Sequence, residues 1–128
     1  MMLRTLTLCC LGLFAVLPAL ANAQMAPAVQ TATAGGAEFR VLDKINGEAA
    51  DLSLRNGAES SVWRMQVELR ECRYPVGNPS GDAYAFVTLR HQGQSEPLFR
   101  GWMISSSPAL NALDHPRYDV WVIRCSTS

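Results

Sequence analysis

The stretch Trp63-Arg64-Met65-Gln66-Val67-Glu68-Leu69-Arg70 decides the fold. Trp63, Met65, Val67 and Leu69 alternate with Arg64, Gln66, Glu68 and Arg70. Successive side chains of a strand point to opposite faces, so this period of two reads as a strand with one dry and one wet face. That pattern fits an antiparallel sheet covered on one side. The same period sends Cys72 to the wet face with Arg70. An inward cysteine needs one extra residue, so the pattern predicts a β-bulge near Arg70-Glu71.

Reading outward, Asn46-Gly47 and Asn56-Gly57 are two-residue hairpin signals. Leu52 and Leu54 share a face between them, and Phe39, Val41 and Ile45 alternate with Arg40 and Lys44 before them. Toward the C-terminus, residues 75–82 are rich in breakers and read as a loop. Residues 84–90 are apolar on both faces and predict a central strand. After a turn over 92–97, residues 98–104 predict another strand, with Gly101 allowing close backbone approach. Ser107 and Pro108 suit the cap and first position of a short helix over 108–113, which Pro116 ends. Residues 118–125 set Tyr118, Val120 and Val122 against Trp121, Ile123 and Cys125, predicting a last strand covered on both sides.

The expected fold is therefore all-β. It is a small antiparallel β-sandwich or barrel of about 6–8 short strands with one short helix, over residues 37–128. Residues 24–36 carry no charge and no aromatic ring, and Pro27, Gly35 and Gly36 predict a flexible leader.

Residues 1–23 read differently. Arg4 precedes an uncharged run from Thr5 to Leu20, and Ala21-Asn22-Ala23 closes it. A positive start, an apolar stretch and a small-x-small ending make a secretory signal peptide, cut after Ala23. The run is shorter than the ~20 residues of a spanning helix, so no stable membrane span is expected after processing. Export to a periplasm is an oxidising address, and only Cys72 and Cys125 survive cleavage. An even count there predicts a disulfide. A metal pair or redox pair is the competing reading, but two thiols alone suit zinc poorly and no Cys-x-x-Cys occurs.

Eleven basic residues balance eleven acidic ones, which removes the electrostatic footprint of a nucleic-acid binder. The histidines, His91 and His115, have no ligand cluster around them in the sequence, so neither a metal nor a cofactor is expected. The sharpest catalytic idea is a Ser-His-Asp set of Ser107, His115 and Asp119 or Asp114. No Gly-x-Ser-x-Gly elbow supports it, and Ser107 as a cap with Asp114-His115-Pro116 as a turn explains the same residues.

Binding is the other route. Phe99, Gly101 and Met103 make one face of their strand, so Trp102 shares the other with Arg100. Core packing is the ordinary place for tryptophan, but on an outer face Trp102 becomes a binding anchor. Trp102, Ser105, Ser106, Asn111, Asp114, His115, Tyr118 and Asp119 form the candidate binding surface, because polar groups crowd there without an obvious core role.

The run from Phe99-Arg100-Gly101-Trp102 through Asp114-His115-Pro116-Arg117-Tyr118-Asp119-Val120-Trp121-Val122 resembles the DUF2155 family. Leu42-Asp43-Lys44, Gly47 and Leu69-Arg70-Glu71-Cys72-Arg73-Tyr74 extend the likeness over about residues 38–125. The resemblance implies a small exported protein of the Gram-negative envelope with a matched Cys72/Cys125 pair. It supplies no activity or substrate. Through gene neighbourhood it also implies a place as an accessory subunit on the periplasmic face of a respiratory inner-membrane complex. The leading expectation is a non-enzymatic periplasmic β-domain that binds a protein or other envelope component. The alternatives are an envelope hydrolase using the Ser-His-Asp set, and the respiratory accessory subunit.

Overall fold

A computed structural model describes residues 25–127, so the expected signal peptide over 1–23 lies outside the described residues. Eight strands run in chain order: β1 (Thr31–Thr33), β2 (Gly36–Asp43), β3 (Ala49–Arg55), β4 (Glu59–Val62), β5 (Met65–Pro75), β6 (Tyr84–His91), β7 (Phe99–Ile104) and β8 (Tyr118–Ser126). All pairings are antiparallel. In the first sheet β6 lies between β5 and β7, as its two apolar faces predict. The free edge of β5 is shared, with β4 along its first half and β1 along its last three residues. The second sheet has the order β3-β2-β8.

The two sheets share one core. β2 contributes Phe39 and Val41, β5 Met65, Val67 and Leu69, β6 Val87 and Leu89, and β8 Val120 and Val122. Fully burying a side chain of this kind stabilises the fold by about 2 kcal/mol.

The bulge expected at Arg70 is present. Leu69 faces Val87 and Glu71 faces Phe86, so Arg70 is the extra residue and Cys72 turns fully inward. A second bulge in β8 does the same for Cys125. Arg124 pairs with Glu38 and Val122 with Phe39, leaving Ile123 over. Cys125 thereby joins the face of Val120 and Val122 rather than that of Trp121. The two sulfurs are bonded as a Cys72–Cys125 disulfide.

Several expectations are corrected. No helix forms over 108–113, where the chain makes a β-turn with Leu110 N–H donating to Ser107 O at 3.0 Å. Pro108 sits at the second position of that turn, a place it suits equally well. A six-residue helix costs more to nucleate than it returns without an apolar face, and here only Leu113 is buried.

The segment expected as a flexible leader over residues 24–36 contains β1 and the first residue of β2. Arg73 donates from Nε and Nη1 to the hydroxyls of Thr31 and Thr33 (2.8 and 2.9 Å), and so straps β1 to β5. Asn46-Gly47 closes the β2–β3 hairpin, but Asn56-Gly57 hands the chain from the second sheet to the first. Trp63 is not on the strand's dry face. It occupies the tight β4–β5 turn at φ 50° and is 38% exposed. The outer face of β8 is only half covered, since Asp119, Trp121 and Ile123 are all partly exposed.

Candidate functional site

Strand parity puts Tyr84, Phe86, Thr88 and Arg90 of β6 on the outer face of the first sheet, with Arg100, Trp102 and Ile104 of β7 beside them. Trp102 is 39% exposed and meets Phe86 edge to face, with ring centroids 5.3 Å apart. This resolves Trp102 to the outer face, beside Arg100. Phe86 is flanked from both neighbouring strands. The Arg70 guanidinium lies 5.4 Å from its ring centroid and that of Arg100 lies 5.8 Å away. Cations at this distance are attracted to the negative ring face. Val29, Thr31, Arg73, Tyr84 and Trp102 line a shallow, mostly apolar groove of about 360 Å³ on the same face.

The backbone under Trp102 is held from the following loop. Asn111 Nδ2 donates to Trp102 O at 2.8 Å. Gly101 leaves room for that contact, since a Cβ there would stand 3.0 Å from the same Asn111 nitrogen. Ser105 and Ser106 are also committed. Their hydroxyls donate to Asp82 at 2.7 and 2.6 Å, and Ser106 N–H donates to it at 2.9 Å. Burial alone would raise the Asp82 carboxyl, but the bonds from Ser106 and Ser105 outweigh it and hold the pKa below its usual value.

His115 is at the other end of the fold. Its Nδ1 accepts from the backbone N–H of Arg117 and Tyr118, both at 3.0 Å. Its proton therefore sits on Nε2, which donates to His91 Nε2 at 3.1 Å. Both ring nitrogens are used, and no serine hydroxyl is among the partners. The alternative Ser-His-Asp set of Ser107, His115 and Asp114 or Asp119 is thus not assembled. The same tautomer turns an N–H, not a lone pair, toward His91, so the pair does not offer two ligands to one metal. Among the described residues no cluster of three or more metal-ligating side chains occurs. Burial first, then His91 and Lys44, lower the pKa of His115.

Tyr118 is a correction to the expected surface. It is 2% exposed, with its ring stacked between Trp63 (6.1 Å) and His115 (5.4 Å). Its neighbour Arg117 forks onto the buried carboxylate of Asp43 at 2.9 and 3.0 Å, which holds that carboxyl below its usual pKa. Asp114 is exposed, and Asp119 is half-buried in a groove with Trp121 and Lys44. The expected surface is therefore split. Trp102, Ser105, Ser106 and Asn111 gather at β7, while His115 and Tyr118 belong to a separate aromatic cluster.

Phe86 and Arg70 escaped the sequence reading. A signal for Phe86 was present: it shares parity with Tyr84 on a strand whose other face already fills the core.

A disulfide-bridged, two-sheet β-domain with an aromatic and arginine outer face is the class this fold and face define. The chain belongs to the family described as "Uncharacterized protein conserved in bacteria (DUF2155)", which it matches over residues 37–125. It is similar to an uncharacterized protein of Rickettsia prowazekii (strain Madrid E), at 29% identity over 87 residues. That alignment covers 66% of this chain but only 56% of the relative, so the chain spans little more than half of that relative's length. No solved structure matches.

Proposed function

We propose that the chain is an exported periplasmic binding domain, without catalysis of its own, that docks an envelope protein through the outer face of its first sheet. The carrying observation is Trp102, a large ring 39% exposed in the middle of an edge strand rather than buried. Tryptophan and arginine are the side chains that dominate binding hot spots, and here Arg100 and Arg70 stand beside it around Phe86. Asn111 fixes the backbone beneath the ring, which lowers the ordering cost of docking. The commitment of both histidines and of Ser105 and Ser106 to internal bonds supports binding over hydrolysis.

The test is capture from crosslinked envelopes by the tagged full chain, read by mass spectrometry. A dominant envelope partner that is lost with Trp102→Ala, in a variant that keeps its disulfide, supports the reading. The same partners with and without Trp102 overturn it. Fractionation belongs with that test: the mature chain should begin at Gln24 in the periplasmic fraction. Co-purification through detergent and high salt would mark a permanent subunit of an inner-membrane complex.

A further inference from the structure

Four arginines lie on the outer face of the first sheet, and two of them are spent. Arg90 Nη1 binds Glu68 at 2.9 Å, and Arg73 holds β1 with Glu71 3.7 Å away. Arg70 and Arg100 have no carboxylate partner among the described residues. Both are exposed, and both are oriented by the Phe86 ring between them. They come from β5 and β7, two strand spacings or roughly 10 Å apart at the backbone. A guanidinium presents a fork of donors matched to a carboxylate, and a ring-stacked guanidinium keeps its in-plane N–H groups free.

We propose that this face takes an extended acidic protein segment. Its carboxylates pair with Arg70 and Arg100, while an apolar side chain lies against Trp102 in the groove beside Tyr84. The proposal rests on the binding-domain reading and names its partner by chemistry. Charge complementarity selects the occupant: the face has two unspent cations, Glu68 and Glu71 are already paired, and Glu59, opposite Glu68 on β4, is its one carboxylate without a cation among the described ion pairs. Alternate residues of an extended segment share one side, so acids at alternate positions can meet both arginines from one strand.

The β-bulge ties this face to the disulfide. Arg70 is the inserted residue of β5, and the insertion that turns Cys72 inward leaves Arg70 unpaired in the ladder and aimed across Phe86. Bulges recur where a side chain is re-aimed.

The test uses the full mature chain and a fluorescent peptide with glutamates at alternate positions and valines between them. Controls carry glutamine or lysine in place of glutamate. Anisotropy should register binding of the glutamate peptide alone. Salt at about 1 M, where the screening length is roughly 3 Å, should abolish it. Arg70→Gln and Arg100→Gln should each weaken binding on the order of tenfold, as for loss of a charged hydrogen bond. Both residues are exposed, so these variants should fold, and an intact disulfide with an unchanged circular dichroism spectrum checks that they do.

Equal binding of the glutamine peptide, or unchanged affinity in both arginine variants, overturns the proposal. So does binding to phosphatidylglycerol vesicles with none to the peptide, which assigns the face to a lipid surface. If the peptide fails but capture of an envelope protein still depends on Trp102, the acidic segment is wrong and the binding domain stands. If both fail, the underlying reading falls as well.

Discussion

The Nε2 atoms of His91 and His115 face each other at 3.1 Å, and Nδ1 of His115 is already filled by two backbone N–H donors. A second proton on His115 would fall on Nδ1, against the amides of Arg117 and Tyr118. Lys44 adds a nearby positive charge, with Nζ donating to His115 O at 2.6 Å.

Stability should therefore fall with acid. The folded pKa of His115 lies below its ordinary 6.5, through burial first and then His91 and Lys44. The unfolded chain binds the proton first, so the stabilisation is complete above about pH 6.5 and is lost as pH drops toward the folded value. Urea unfolding between about pH 7.5 and 5 should show this decline. His115→Asn supplies an acceptor to the same amides without titrating, and should flatten it. An unchanged slope in that variant counts against the assignment.

The disulfide closes a loop of 53 residues in sequence separation. The chain-entropy estimate for a loop of this length is about 4 kcal/mol. Replacing Cys72 and Cys125 together by serine should lower the unfolding free energy by that amount and steepen the urea slope, because the released unfolded chain exposes more surface. A loss under about 1 kcal/mol would mean that the core alone holds the two sheets.

Gly36 is buried in β2, and a Cβ built there would run into the carbonyl oxygen of Leu54 on β3. The obstacle is backbone, which cannot rotate away. Gly36→Ala should cost about 3 kcal/mol, the upper end for overpacking, measured by thermal or urea unfolding. Gly47→Ala meets nothing within 4 Å but keeps a φ of 77°, so its smaller cost should be backbone strain alone, about 1 kcal/mol.

Trp63 pairs a backbone cost with a ring contact. At φ 50° any side chain is strained, yet the indole stacks on Tyr118 at an interplanar angle of 11°. Trp63→Ala keeps the strain and loses the stack, and should destabilise by about 2 kcal/mol. Trp63→Gly loses the same stack but relieves the backbone, and should recover about 1 kcal/mol of that. Comparing the two by urea unfolding separates the terms, and equal stabilities would show that the turn is unstrained.

Much of the fold was legible because parity is a local rule. Phe39 and Val41, and then Met65, Val67 and Leu69, face the core as their alternation predicts. Even the bulge at Arg70 followed from Cys72 falling on the wrong side. Its counterpart at Ile123 was hidden, because β8 is apolar on both faces and a shift of one residue leaves no visible conflict.

The helix over 108–113 failed for a related reason. Ser107-Pro108 starts a helix or a turn equally well, and only the missing apolar face decides. The candidate site was legible in part. Trp102 beside Arg100 came from strand parity. The approach of Phe86 and Arg70 needed the pairing of β5, β6 and β7, and that of His91 to His115 needed the packing of the sheets. Those contacts join residues far apart in the chain, and no spacing rule reports them.

The disulfide and the histidine pair are at opposite ends of the fold. Along β5, Cys72 faces Ala85 and Met65 faces His91; along β2, Ala37 faces Cys125 and Asp43 faces Tyr118, just after His115. The disulfide joins one sheet to the other, and the histidine bond joins the first sheet to the loop that leads into β8. The two layers are therefore fastened like a book clasped at both edges, one clasp opened by a reductant and the other by protons. Acid should loosen the edge at Trp63 and Tyr118 while Cys72 and Cys125 hold, and a reductant should do the reverse. Amide exchange would read this as two openings that start from opposite sides.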